Sequence, residues 1–183
     1  MNKKSDISEE KHNFQAEVSK LLHIVANSLY SDKEVFLREL ISNSSDACDK
    51  LRYESVTKPE LISNDAKFRI EIEVNEKNNT LEISDNGIGM NKAELTENLG
   101  TIARSGTSAF VEKASENENH DNVSLIGQFG VGFYATFMVS KKVEVISKKA
   151  GVDEAWKWTS DGLGNFTIQK SDREIRGTTV VLH

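Results

Sequence analysis

The first twelve residues are mostly polar and carry no period, and then the chain changes character. From Phe14 the apolar positions fall at Phe14, Val18, Leu21, Leu22, Val25 and Leu29, which is helical spacing. A second helix is predicted to start at Ser31, where Ser31 and Glu34 make a Ser-x-x-Glu capping box, and to run to about Tyr53. Pro59 bars its continuation. The period then drops to two. Phe68, Ile70, Ile72 and Val74 alternate with Arg69, Glu71 and Glu73, as in a strand with one wet face. Asn78 and Asn79 supply a turn, and Leu81 and Ile83 lie on the returning strand of a hairpin. Asn91 and Glu94 repeat the cap signature for a short helix that ends near Gly100. Residues 113–124 read as a polar surface loop, and the apolar run after Gly132 as a short buried helix. Four further strands are predicted near 142–148, 154–159, 165–170 and 177–182. Trp156 shares a face with Trp158, and Thr178 with Val180 and Leu182.

This order of elements predicts an α+β fold: a two-layer sandwich in which a mixed, mainly antiparallel sheet is covered by helices on one face. A length of 183 residues suits one domain, expected over 13–183 after a flexible lead-in at 1–12. A net charge of -6 argues against nonspecific binding to nucleic acid or anionic membrane. Cys48 is the lone cysteine, so no internal disulfide framework exists and a reducing compartment fits. No apolar run approaches the roughly 20 residues of a membrane span, and residues 1–11 lack the apolar core of a signal peptide. A cytoplasmic location is expected.

Three segments carry candidate chemistry. On the helix 31–53, Glu39, Asn43, Asp46 and Lys50 fall within about 60° of one another. Phe36, Leu40, Ile41, Ala47 and Leu51 form the neighbouring arc, expected to face the sheet. Alone, such a polar stripe is ordinarily a solvated boundary. In the second segment, Asp85 follows Leu81 and Ile83 at a spacing of two, so its carboxylate is aimed inward at the end of a buried face, where it needs donors. Asn86-Gly87-Ile88-Gly89 then lets the backbone turn tightly and a flat ligand approach, although turns carry this pattern often. The third segment is Gly127-Gln128-Phe129-Gly130-Val131-Gly132, whose N–H groups suit phosphate at a helix start. It is neither a Rossmann fingerprint nor a Walker loop, and Gly100–Thr107 fails as a Walker loop for its spacing and its missing lysine.

Glu-x-x-x-Asn on a helix, Asp-x-Gly-x-Gly after a strand and a later Gly-x-x-Gly-x-Gly loop resemble the Bergerat-type ATP-binding fold. Gyrase-type topoisomerases, mismatch-repair ATPases, sensor histidine kinases and heat shock protein 90 chaperones share it. The segments SLYSDKEVFLRELISNSSDACDKLRYES, ISDNGIGMNKAEL, NLGTIARSGTSAF, IGQFGVGFYATFMVS and GTTVVLH are similar to the chaperones, in particular their bacterial branch, the high-temperature protein G type. The similarity runs from about Phe14 to His183.

The resemblance implies an N-terminal ATP-binding domain of an ATP-dependent chaperone. Glu39 would be the catalytic base for the water that attacks the γ-phosphate. Asn43 would ligate Mg²⁺. Asp85 would accept the exocyclic amine of adenine, supported through water by Thr178. Asp46, Ala47, Lys50, Ile88, Gly89 and Met90 would line the ATP/ADP pocket, as would Asn98, Leu99 and Phe133. Ser105, Gly106 and the run Gly127, Gln128, Phe129, Gly130, Val131, Gly132 would contact or cover the phosphates. A lid would span about 98–126 and close over ATP. The pocket would also take purine-like competitive inhibitors, while client proteins and a homodimer would be partners of the full-length protein.

Arg104 stands where the family commonly has lysine. The family's middle and C-terminal domains are absent, so a fragment is expected: mostly monomeric and weak in hydrolysis. Three other readings compete. A histidine-kinase phosphotransferase would need an upstream phosphoacceptor helix, for which residues 1–13 leave no room. A DNA-topology or mismatch-repair ATPase sits poorly with the acidic balance and with segment 28–53. A nucleotide-binding module without catalysis sits poorly with Glu39.

Overall fold

The computed structural model describes residues 34–100 and 132–183. The expectations for 1–12, the helix from Phe14, the Ser31 end of the capping box and the loop 113–124 fall outside these residues. So do those for the lid beyond Gly100.

Helix α1 spans Val35–Ser55, ending two residues beyond the expected Tyr53. Pro59 opens a short 3-10 turn, Pro59–Ile62, rather than extending the helix. α1 buries Val35, Glu39, Leu40, Ser44, Cys48 and Leu51. Ile41, expected on the sheet-facing arc, is 36% exposed. At about 100° per residue Leu40, Ser44, Cys48 and Leu51 share an arc of about 80°, and Ile41 falls just beyond its Cys48 edge.

Strands β1 (Ile70–Asn75) and β2 (Thr80–Asp85) form the expected antiparallel hairpin. Its turn is stabilised by the Asn78 N–H donating to Asn75 Oδ1 at 3.0 Å and by Asn79 at a φ of 53°. Ile72 and Val74 stay exposed because β1 is the edge strand and the helical layer does not cover it fully. Helix α2 (Lys92–Gly100) carries a complete reciprocal cap: Glu94 N–H donates to Asn91 Oδ1 and Asn91 N–H to Glu94 Oε2, both at 2.9 Å. The apolar run after Gly132 forms a 3-10 helix, Gly132–Met138, with Phe133 to Thr136 buried.

Strands β3 (Val143–Lys148), β4 (Ala155–Ser160), β5 (Phe166–Ser171) and β6 (Gly177–Leu182) complete a six-stranded sheet of order β1-β2-β6-β3-β4-β5. Every pairing among the described residues is antiparallel. Ile83, Val143, Val145, Trp158 and Leu182 bury one face against Leu40, Leu95, Leu99, Phe133 and Tyr134 from the helical layer. This is the two-layer α+β sandwich expected from the sequence.

The insertion of β6 between β2 and β3 decides what meets at one end of that face. Register sets Val180 between Ile83 and Val145, an apolar row. One step along, Thr178 sits beside Ser147, and Asp85 follows Ser84 just past the Ser84–Thr179 pair. The apolar face therefore ends in a polar row of Asp85, Thr178 and Ser147.

Candidate functional site

Asp85 is 6% exposed, a carboxylate at the end of a hydrophobic face. Three donors hold it. The N–H of Gly87 reaches Oδ1 at 2.9 Å and that of Thr178 at 3.3 Å, while the Ser44 side chain bonds it from α1. Burial pushes its pKa above the ordinary carboxylate value, and these donors pull against that rise. The Thr178 hydroxyl is engaged with Ser147 Oγ at 2.8 Å, and Ser147 also accepts the Met90 N–H at 2.8 Å. Thr178 thus meets Asp85 through its backbone N–H, and the polar row extends to Met90 by direct bonds.

The turn after Asp85 is seated on α1 itself. Ile88 N–H donates to the Ala47 carbonyl at 3.0 Å, and Ala150 N–H donates to Ile88 O at 2.8 Å. A Cβ on Gly87 would lie 2.6–2.8 Å from the backbone of Ala47 and Cys48. Gly89 has a φ of +64° and faces the Lys148 carbonyl, where a Cβ would come within 2.0 Å. Asn86 is fully buried and ties the turn to the preceding segment: its Nδ2 donates to Asp65 Oδ2 and Lys67 O, and its Oδ1 accepts from Arg69 N–H. Gly87→Ala is expected to destabilise the chain by about 1–3 kcal/mol, because the obstacle is helix backbone. An unchanged urea midpoint would contradict this seating.

Glu39 is the second buried acid, 8% exposed and one turn before Asn43 on α1. Desolvation raises its pKa from the ordinary value, and neighbouring Arg38 opposes the shift. Its carboxylate lies against Gly132, where a Cβ would stand 2.1 Å from Oε2. The last glycine of the Gly-rich run is thus the wall of the Glu39 site. Asn43, Asp46 and Lys50 remain exposed along the same side of α1, and Ala47 is half-buried.

Of the other expected site residues, Ile88 is buried beside Leu51 and Ala150. Asn98 Nδ2 contacts Met90 Sδ at 3.6 Å, bringing those two together on α2 and its approach. Leu99 and Phe133 are buried in the main core, where Phe133 packs edge-on against Tyr134, Phe137 and Trp158. The Leu99 carbonyl accepts the Tyr134 hydroxyl at 2.8 Å, and burial pushes that phenol up to about 12. Ser105, Gly106, Gly127, Gln128, Phe129, Gly130 and Val131 lie outside the described residues. Among the described residues no group of three or more His, Cys, Asp or Glu could hold a metal by itself.

Two participants escaped sequence reasoning although a signal was present. Ser44 is a polar residue on an otherwise apolar helical arc, and Ser147 follows Val143 and Val145 at buried period two. A polar side chain on a core face needs a partner, and both have one at this site.

Residues 30–179 match the family model described as "Histidine kinase-, DNA gyrase B-, and HSP90-like ATPase". The chain is 58% identical over 179 residues to the "Chaperone protein HtpG" of Rhodospirillum rubrum, covering 97% of this chain and 29% of that protein. It is 55% identical over 181 residues to that of Rhizobium meliloti, with 97% and 29% covered. With that of Rickettsia massiliae it shares 56% over 178 residues, covering 97% and 28%. The chain therefore spans less than a third of the length of these relatives.

Proposed function

The chain belongs to the family of histidine kinase-, DNA gyrase B- and HSP90-like ATPases, and on that footing we propose that it is the N-terminal nucleotide-binding domain of an ATP-dependent molecular chaperone. It binds ATP or ADP with Mg²⁺ and hydrolyses ATP, weakly as an isolated domain. The observation that carries this reading is the buried Asp85, held by fixed donors against the helix that also carries Glu39 and Asn43.

Asp85 reads the base. An ionised carboxylate accepts the exocyclic amine of adenine and repels the carbonyl that guanine presents at that position. Glu39 orients or deprotonates the attacking water; burial raises its proton affinity toward the range useful to a general base. Thr178, Ala47, Ile88, Gly89 and Met90 shape the adenine end. Asp46, Lys50, Asn98, Leu99 and Phe133 line the remainder of the pocket. Ser105, Gly106 and the run 127–132 contact or cover the phosphates.

A single exposed amide fits Mg²⁺ better than an all-protein cage would, because this ion keeps several waters and takes nucleotide oxygens as ligands. Asn43 would hold it, and when bound it would neutralise developing phosphate charge. The domain spans 13–183, with a lid at about 98–126 that closes over ATP. In the longer protein, closure drives transient pairing of two N-terminal domains and work on client proteins, in the cytoplasm. Purine-like competitive inhibitors occupy the same pocket, and the isolated chain is monomeric. No helix among the described residues is long and apolar enough to cross a membrane.

Calorimetric titration with ADP and GDP, each with and without Mg²⁺, tests base selectivity and metal dependence together. ADP is expected to bind more tightly than GDP, and more tightly with Mg²⁺ than without. Equal affinities for the two bases would overturn the reading of Asp85.

A further inference from the structure

Asp85 is approached from behind as well as from the pocket. The connection between β5 and β6 places Arg173 on the reverse face of the sheet, where Ser84 and Thr179 point away from the core. Its guanidinium is held at three points. Nε donates to the Ile175 carbonyl at 2.9 Å, Nη1 to Thr179 Oγ1 at 2.5 Å and Nη2 to the carbonyl of Asp85 at 3.2 Å. Thr179 Oγ1 also lies 2.7 Å from Ser84 Oγ, so the hydroxyl that seats the guanidinium is itself fixed. The contact falls where the β2–β6 ladder ends, just past the Ser84–Thr179 pair. Gly177 makes room there, since a Cβ on it would lie 2.1 Å from the Asp85 carbonyl.

We propose that Arg173 is a positioning residue for the base-reading carboxylate: its guanidinium, clamped behind the sheet, fixes the Asp85 backbone and adds a positive charge that favours the amine-accepting form of Asp85. This rests on the role given to Asp85 above. A protonated Asp85 would turn a donor toward the base and lose the adenine amine. The groups facing Asp85 are the Ser44 hydroxyl and Cys48 thiol of α1, the N–H groups of Gly87 and Thr178, and Arg173. The hydrogen bonds from Gly87, Thr178 and Ser44 do most to favour the ionised form against the burial that disfavours it, and Arg173 adds the charge among these groups that acts in the same direction. Arg176, on the same connection, donates to the Asp65 carbonyl at 2.5 Å instead.

The test is ADP affinity by calorimetry from about pH 8 down to about pH 5.5, for the unsubstituted chain, Arg173→Gln, Arg173→Lys and Asp85→Asn. Comparison at each pH cancels the titration of the ADP phosphates. Relative to the unsubstituted chain, Arg173→Gln is expected to lose roughly a further three- to tenfold in affinity between about pH 8 and the acid end, the scale on which a neighbouring opposite charge acts, beyond any pH-independent loss from the missing clamp. Arg173→Lys, which keeps the charge but not the fork, is expected to restore most of the acid-side affinity. Parallel profiles for Arg173→Gln and the unsubstituted chain, with Asp85→Asn weak, would overturn the role of Arg173 and leave that of Asp85. Unchanged ADP affinity in Asp85→Asn would overturn both. If Arg173→Gln does not fold, Thr179→Val unseats the same guanidinium, and an NMR titration of the Asp85 carboxyl carbon reads the result. A midpoint moved to higher pH supports the proposal, and an unmoved one overturns it.

Discussion

Asp85→Asn is expected to weaken ADP binding by about 1–3 kcal/mol or more, the scale of a lost charge-assisted buried hydrogen bond. The geometry says why so small a change costs so much. Oδ1 already accepts from the Gly87 and Thr178 N–H groups. An asparagine must place its carbonyl oxygen there, because its NH₂ group in that position would face two donors. The NH₂ is then turned toward the ligand, where it meets the adenine amine donor to donor. The same inversion suits a guanine carbonyl, so the gap between ADP and GDP is expected to narrow. Calorimetry on the substituted chain reads both effects. An ADP affinity equal to that of the unsubstituted chain would remove Asp85 from base recognition.

The second large effect falls on turnover. Glu39→Ala, in the longer protein, is expected to leave nucleotide affinity nearly intact while lowering ATP turnover by about 10²–10⁴-fold, the contribution typical of a positioned general base. Gly132→Ala offers an independent route to the same loss. Its new Cβ would stand 2.1 Å from Glu39 Oε2, so the carboxylate must move although it is still present. A steady-state phosphate-release assay beside a binding titration separates the two quantities. If Glu39→Ala lost affinity and turnover in equal measure, Glu39 would belong to binding instead.

The elements that sequence made legible were those with strong local patterns. Period-two alternation located β1 to β6 within about two residues, and the Asn91/Glu94 cap opened α2 where expected. The inward aim of Asp85 followed from its spacing to Leu81 and Ile83, and the structure buries it. What local pattern could not supply was tertiary register. The meeting of Thr178 with Asp85 depends on β6 inserting between β2 and β3, which no periodicity in either strand encodes. Ile41 was misplaced for a related reason: the buried arc of α1 is set by what packs on it, and Ser44 and Cys48 lie under the sheet and the Gly87 turn. Arg173 gave no sequence signal at all, being a charged residue in a connection whose partners lie far away along the chain. The polar stripe of α1 divides in a way that composition could not reveal. Glu39 is buried by the 3-10 helix, while Asn43, Asp46 and Lys50 stay open along the same side.

The central claim is that a carboxylate at the end of a buried strand face meets a purine amine. A crystal structure of the chain grown with ADP and Mg²⁺ tests it most directly. The expected result is the adenine exocyclic nitrogen within about 2.7–3.2 Å of an Asp85 carboxylate oxygen, ordinary hydrogen-bond distance. A nucleotide bound with its base elsewhere, and Asp85 still engaged only by Ser44, Gly87 and Thr178, would contradict it.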